Sequence, residues 1–349
     1  MIRNEPIIES QEIRAAFEVL SSRELSMYRA NKNGHLGGRY CRALEDAFCD
    51  FFHIKHAIAM NSATSCLHAC CIAANVKEAY VPTITFSASA SCVLQAGGTI
   101  KFTDIDPLTY CMVLKRPVDI AVAVHLHGHP ADMDKIQAEF VIEDCSQAMM
   151  AKYKGEYVGT VGECGVFSFN QWKHISCGEG GMVITNDDNI ADICRLVRNH
   201  GETQSDILGY NYRLTEIQAA IVLEQFKKLP QRISERIELA EYLSEKIEAK
   251  PYVRDDCVHT YFTYPIRTKN RSRLQSSLLE AGYFFGNGGQ KPLHKYGFYK
   301  RFADGEYPVA EDFEKNVMFT DIIRPGITEQ DLDKIAEIVN GKVLARIAT

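Results

Sequence analysis

No apolar run in this 349-residue chain approaches the roughly 18 residues needed to cross a bilayer, so no membrane-spanning helix is expected. Positive charge is not in excess either. Lys and Arg number 39 against 45 Asp and Glu, a net charge of −6, which gives no electrostatic reason to expect nucleic acid or an anionic membrane surface as a partner. Internal repeats and low-complexity tracts are absent, which removes solenoids and disordered linkers from consideration. The opening residues Met1-Ile2-Arg3-Asn4-Glu5-Pro6 lack the apolar core of a secretory signal. Twelve cysteines are present without a single Cys-x-x-Cys pair, in a chain too long to need a disulfide framework. The expected compartment is the cytoplasm. Cys66, Cys70 and Cys71 lie at helical spacing near His68, but small buried side chains on a core helix account for them better than a metal site, and no metal is expected. Tryptophan occurs once, at position 172.

What remains is an ordinary globular composition, 46% hydrophobic and 24% charged, at a length that suits a large domain plus a smaller one. Ser10 to Leu25 predicts an amphipathic helix whose apolar face carries Ile13, Phe17 and Leu20. From His56 onward, short apolar runs alternate with helical patterns. Strands are expected at 56–60, 79–81, 99–102, 120–124 and 140–142, with helices at 88–96, 131–139 and 188–200. The alternation predicts an α/β fold, a mostly parallel sheet covered by helices, and the weak polar–apolar alternation within strands fits burial on both faces. Pro230 interrupts a long helical pattern that resumes at Ile233. The domain change is therefore placed there, with residues 1–229 as the large domain and 230–349 as a smaller α+β unit ending in a helix over Glu329 to Ile347.

One stretch organises the chain. Lys173 stands between the apolar runs 165–167 and 182–185, just ahead of the cluster Gly178-Glu179-Gly180-Gly181. An ammonium is costly to bury unless it is used, and a desolvated lysine is an amine nucleophile able to condense with an aldehyde. Upstream, Ser62-Ala63-Thr64-Ser65 follows a strand and opens a helix, where free N–H groups and the dipole suit a phosphate, although a plain N-cap explains it equally well alone. Asp144 ends a buried strand, the usual place for ligand contacts in open α/β sheets; it fits either a heterocyclic nitrogen or a turn cap. Phe86 ends another strand and offers a ring to stack on a planar group, or to the core. Phosphate cradle, acid, aromatic face and lysine together describe a site for pyridoxal 5′-phosphate.

Motifs in a fixed order then resemble the DegT/DnrJ/EryC1/StrS family of pyridoxal-phosphate-dependent sugar aminotransferases, of fold type I. They include Asn61 to Ser65, His127-Gly128-His129-Pro130, Glu143 to Gln147, Phe167-Ser168-Phe169, Lys173, Gly178 to Gly181, Asn199-His200-Gly201 and Leu208 to Ala219. The resemblance implies that Lys173 carries the cofactor and shuttles protons, and that Asp144 pairs with the pyridine nitrogen. Gln147 approaches the ring oxygen side, Phe86 stacks on the ring, and Ala63, Thr64 and Ser168 bind the phosphate. Asn211 is implied to reach the phosphate of a neighbouring subunit, hence a homodimer with shared active sites. The implied reaction moves an amino group from an amino acid, L-glutamate above all, to a nucleotide-linked keto sugar. Keto-cyclitol amination and pyridoxal-phosphate-dependent dehydration are the alternatives within the family, and a regulatory protein retaining the fold is the non-enzyme alternative. Three positions depart from the family pattern: Trp172, for which packing beneath the loop is the expectation, Cys177 and His127. The polar pair Asn170-Gln171 is similar to members acting on cyclitols as much as to those acting on nucleotide sugars.

Overall fold

The computed structural model describes residues 8–29, 34–202, 207–283 and 289–341. Helix α1 (Ser10–Ser22) is started by a capping box in which Glu9 and Glu12 satisfy each other's backbone N–H groups. Its buried face is Glu12, Ala15 and Val19, whereas Ile13, Phe17 and Leu20 are exposed, the opposite of the sequence expectation. Small side chains decide this. Ala15 and Val19 pack on Ala220 of a later helix, where a bulkier face would hold the two helices apart. Lys228 draws the same face down by pairing with Glu9 and Glu12.

After α2 (Arg39–Phe52), β1 (His56–Met60), α3 (Ala63–Ala73), β2 (Glu78–Pro82), α4 (Ala88–Gln95), β3 (Thr99–Thr103), β4 (Val118–Val124) and β5 (Ala138–Asp144) follow as the alternation predicts. The exception is 131–139. Only a short 3-10 turn forms at Met133–Lys135, because Asp132 is taken up by Tyr153, Lys135 and Arg254 instead of capping a helix, and β5 already begins at Ala138. The short strands β6 (Lys152–Tyr153) and β7 (Glu156–Tyr157) precede β8 (Cys164–Ser168) and β9 (Gly181–Thr185). The main sheet has seven strands in the order β1-β9-β8-β5-β4-β2-β3. Strands β3, β2, β4, β5 and β8 run parallel; β9 is antiparallel to both neighbours. Every residue of β8 and β9 is buried, as a two-sided strand requires.

Helix α5 (Asp188–Arg198) closes at Asn199, and Gly201, at φ 66°, donates its N–H back to Leu196. Helix α6 (Glu216–Lys246) then runs unbroken through Pro230. Proline removes one helical hydrogen bond, but both halves of α6 are anchored: Val222, Phe226 and Ile233 in the core under the sheet, Ala240 and Leu243 in a second core. That second core gathers β11 (Tyr264–Arg267), α7 (Arg271–Glu280), β12 (Val317–Thr320) and α9 (Glu329–Val339), while β10 (Cys257–Val258) pairs with β6. Helix α8 (Pro308–Asn316) and the preceding residues from Leu293 pack back on the first core, so the two cores do not divide at one point in the chain. The continuation of α9 expected beyond residue 341 lies outside the described residues. Among the described residues no helix is long and apolar enough to cross a membrane.

The seam between the cores is lined with histidine. Thr260 donates to the Gly128 carbonyl, and His127 Nδ1 shares a 2.5 Å hydrogen bond with Thr263 Oγ1. The His129 and His259 rings meet at 5.4 Å, and His174 Nε2 lies 3.3 Å from the Thr260 carbonyl. Gly128, at φ 98°, is obligatory: a Cβ there would stand 2.8 Å from the Tyr261 nitrogen. Burial holds these imidazoles neutral, His127 and His174 at about 3 and His129 at about 4. Below about pH 6.5 the unfolded chain therefore takes up protons that the folded one refuses, and each such histidine costs about 1.4 kcal/mol per pH unit. The thermal midpoint is expected to be lower at pH 5 than at pH 7, with a shallower fall in His174→Asn. Equal midpoints at the two pH values would contradict this electrostatic picture of the seam.

Candidate active site

Residues 169–180 form a loop between β8 and β9, closed on itself by Phe169 N–H to the Gly180 carbonyl and Gln171 N–H to the Gly178 carbonyl. Gln225 of α6 clamps its far side, accepting from Ser176 N–H at 2.9 Å and donating to the Ser176 carbonyl at 2.5 Å. Lys173 projects from this rigid support. Its Nζ stands 4.4 Å from the ring centroid of Phe262, and no described residue forms an ion pair or hydrogen bond with it. Burial lowers the ammonium from 10.5 to about 8, against the opposing charges of Asp144 and Asp321. The chain thus keeps an amine that gives up its proton far more readily than an ordinary lysine, and among the described residues no carboxylate is hydrogen-bonded to it.

Asp144, buried at the end of β5, accepts from Ser89 Oγ at 2.7 Å and from Ser146 N–H at 3.1 Å; Ser89 in turn shares a 2.7 Å bond with Thr85. Strand alternation separates it from Glu143, which faces the other side. Glu143 is saturated by His125 Nε2 and by the N–H groups of Gly159, Val161 and Gly162. His125, Glu143 and Cys145 lie close enough together for a metal, but these same bonds already use the Glu143 oxygens. Gln147 Oε1 accepts from the His127 N–H at 2.8 Å, which turns its amide nitrogen away from that bond. His127 makes this contact in a left-handed backbone conformation, φ 60°.

Ser62 caps α3 by accepting from Ser65 N–H, so the N–H groups of Ala63 and Thr64 are left without intrahelical acceptors. Ser168 lies opposite Gly181 in the β8–β9 register, and a Cβ on Gly181 would come within 2.6 Å of the Ala63 nitrogen. This close approach brings Ala63, Thr64 and Ser168 together at one corner. The carbonyl of Asn211 accepts from the side chain of Asn61, the residue just before that cap, while its own side chain accepts from Arg213 at the surface. Phe86 is 68% exposed, beside the Thr85–Ser89–Asp144 chain of hydrogen bonds. Trp172 is 56% exposed and does not pack beneath the loop: the main chain there is already held by Asn170, and the apolar space is filled by Phe169 and Ile175.

A cleft of about 680 Å³ opens beside Lys173, walled by His174, Arg232, Arg236, Tyr242 and Arg324. The sequence reading did not include Ser89, Phe262, Gln225, Arg236 or Arg324. Only the Thr85/Ser89 pair had a local signal, two hydroxyls four residues apart; the others arrive from distant segments with no shared spacing.

A family model described as the DegT/DnrJ/EryC1/StrS aminotransferase family matches residues 20–340. The chain belongs to this family. It is 34% identical over 306 residues to a GDP-perosamine synthase of Escherichia coli O157:H7, covering 79% of this chain and 82% of that one. It is 33% identical over 302 residues to a UDP-4-amino-4,6-dideoxy-N-acetyl-beta-L-altrosamine transaminase of Campylobacter jejuni subsp. jejuni serotype O:2, covering 76% and 79%. The fold matches the crystal structure of a DegT DnrJ EryC1 StrS aminotransferase from Brucella abortus with a TM-score of 0.86 at 27% identity, over 96% of each chain. The chain is accordingly a pyridoxal 5′-phosphate-dependent aminotransferase of fold type I. The site fits that cofactor: open N–H groups at α3, a buried acid 29 residues before the lysine (173 − 144), and an amine that forms no ion pair among the described residues.

Borohydride reduction of the cofactor-loaded protein, followed by peptide mapping, is expected to place the label on Lys173. Lys154 is already paired with Asp134. Capture of pyridoxal phosphate by the cofactor-free protein is expected to rise with pH with its midpoint near 8, rather than near the ordinary lysine value of 10.5.

Proposed function

We propose that this aminotransferase moves an amino group from L-glutamate to a keto sugar carried on a nucleotide, with Lys173 as the group that accepts and returns the proton. The observation that carries the reading is the Lys173 amine itself, desolvated to about 8, seated against Phe262 and free of any anionic partner among the described residues. An acid–base group works best when its pKa lies near the working pH. Bound pyridoxal phosphate would supply an electron-withdrawing ring to take up the electron pair left when a C–H bond next to nitrogen is broken.

The chain's own residues have the following roles in this reading. Ala63, Thr64 and Ser168 would hold the phosphate with backbone N–H groups and a hydroxyl at the corner that Gly181 makes possible. Asp144, oriented by Ser89, would keep the ring nitrogen protonated. Gln147, whose Oε1 is taken by the His127 N–H, would offer its amide nitrogen to the ring oxygen, and Phe86, 68% exposed without the cofactor, would cover one face of the ring. Two relatives carry nucleotide-linked sugars in their names, one with GDP and one with UDP, which supports the substrate class and leaves the nucleotide open. Offering 3-keto and 4-keto nucleotide sugars with glutamate and following products by mass spectrometry tests the reading. Replacement of the carbonyl oxygen by an amine is expected. Loss of water without gain of nitrogen would instead make the enzyme a dehydratase.

In the same reading the working unit is a homodimer in which Asn211 of each chain completes the other's phosphate site. The exposed position of Asn211 beside Asn61 supports this, since a neighbour's site is reachable from the surface. Mixing Lys173→Ala with Asn211→Ala subunits would give heterodimers with one intact and one doubly damaged site, so activity should reappear on subunit exchange at limiting cofactor. No gain after confirmed exchange would return Asn211 to its own loop.

A further inference from the structure

The cleft beside Lys173 has two kinds of cation. The outer pair, Lys228 and Arg232, is already engaged with Glu9, and Lys228 also with Glu12. The inner pair is not neutralised in this way. Arg236 gives one nitrogen to the Tyr261 carbonyl at 2.8 Å, and burial pushes its guanidinium down to about 10. Arg324 is only 3% exposed, yet its Nε and Nη2 are buried without a hydrogen-bond partner. Leaving such donors unpaired costs on the order of 1–3 kcal/mol, so their retention in the wall of a cleft calls for a ligand.

Arg324 is also held in place. It opens a turn in which Ile327 donates to its carbonyl, Pro325 follows, and Gly326 takes φ 83°, the geometry of a type II turn. Thr328 then caps α9 directly behind it. Within a guanidinium, Nε and Nη2 lie along one edge and donate in parallel, matching the two oxygens of a carboxylate. Lys173, Arg236 and Arg324 line the same cleft, and the charge of Asp321 acts on all three. The unpartnered Nε and Nη2 of Arg324 are open to an added anion. A buried single-edge fork suits a small planar carboxylate better than a bulky, hydrated diphosphate.

We propose that Arg324, with Arg236 on the same cleft wall, is the subsite that recognises a carboxylate of the amino donor and so selects a dicarboxylic amino acid. This rests on the aminotransferase reading above and deepens it by assigning donor recognition to residues of the C-terminal part of the chain. The test uses the cofactor-loaded enzyme and glutarate, a dicarboxylate with no amine to transfer, titrated calorimetrically into wild type, Arg324→Gln, Arg324→Lys and Arg232→Gln. Arg324→Gln should weaken glutarate at least about tenfold, as expected for losing a charged bidentate contact. Arg324→Lys, which keeps the charge and loses the fork, should fall between, and Arg232→Gln should match wild type. In steady state the KM for glutamate should rise in both Arg324 variants while that for the keto sugar stays put. Unchanged glutarate affinity in Arg324→Lys, or a rise confined to the KM of the nucleotide sugar, would overturn the assignment; the lysine variant decides if the glutamine variant does not fold. Glutarate binding that depends on Arg324, with no turnover of any keto sugar, would sink the function and leave the subsite. Turnover with glutamate but no such dependence would do the reverse.

Discussion

Glu143 is the buried carboxylate on which the geometry of the site depends. Removed from water, its charge is unfavourable by itself, but His125 and three backbone N–H groups outweigh that cost and hold the acid below the usual carboxylate range. Its bonds tie the end of β5 to the segment 159–162 on one side and to the residue after β4 on the other. With the strand end fixed in this way, the pleat turns the next residue, Asp144, to the opposite face, where Ser89 meets it. The selectivity between two adjacent acids is therefore not a matter of their own chemistry. One has every oxygen committed to the scaffold, and the other has capacity to spare.

A second constraint acts at the phosphate corner. The contact between Gly181 and the start of α3 leaves no space for a side chain, so β9 lies directly under the free N–H groups of Ala63 and Thr64. The sequence shows a glycine cluster after the lysine, and close backbone approach is the natural reading of it. What the structure adds is that the approaching partner at Gly181 is the chain itself. The lysine loop, the serine of β8 and the first turn of α3 are consequently one rigid unit, and Gln225 of α6 fastens its outer edge.

Much of this was legible because it is local. A lysine between two apolar runs, an acid at a strand end and a hydroxyl-rich helix start each carry their meaning within a few residues. The misread elements fail for tertiary reasons. Spacing marked Ile13, Phe17 and Leu20 as one face of α1 but had no way to show that the smaller face, Ala15 and Val19, meets Ala220. Residues 131–139 carry helical composition, yet Asp132 is drawn to Tyr153 and Arg254, which lie far along the chain. Arg324 has no motif around it beyond a Pro-Gly turn, and its meaning arises only when its guanidinium is found buried, unpaired and on the same cleft as Lys173.

Helix α6 has a mechanical consequence. Its 31 residues make a rod about 46 Å long at 1.5 Å per residue, embedded in one core at its first half and in the other at its second. The wall of the cleft from Lys228 to Tyr242 is part of the same rod, and it begins next to Pro230. Motion of one core against the other cannot swing on a loose linker here; it has to flex a continuous helix. Stiffness is lowest where proline withholds a hydrogen bond, nearly two turns before Arg236. Bending at that point would shift the two guanidiniums and the lysine relative to one another, so the elasticity of a single helix sets how far the cleft opens.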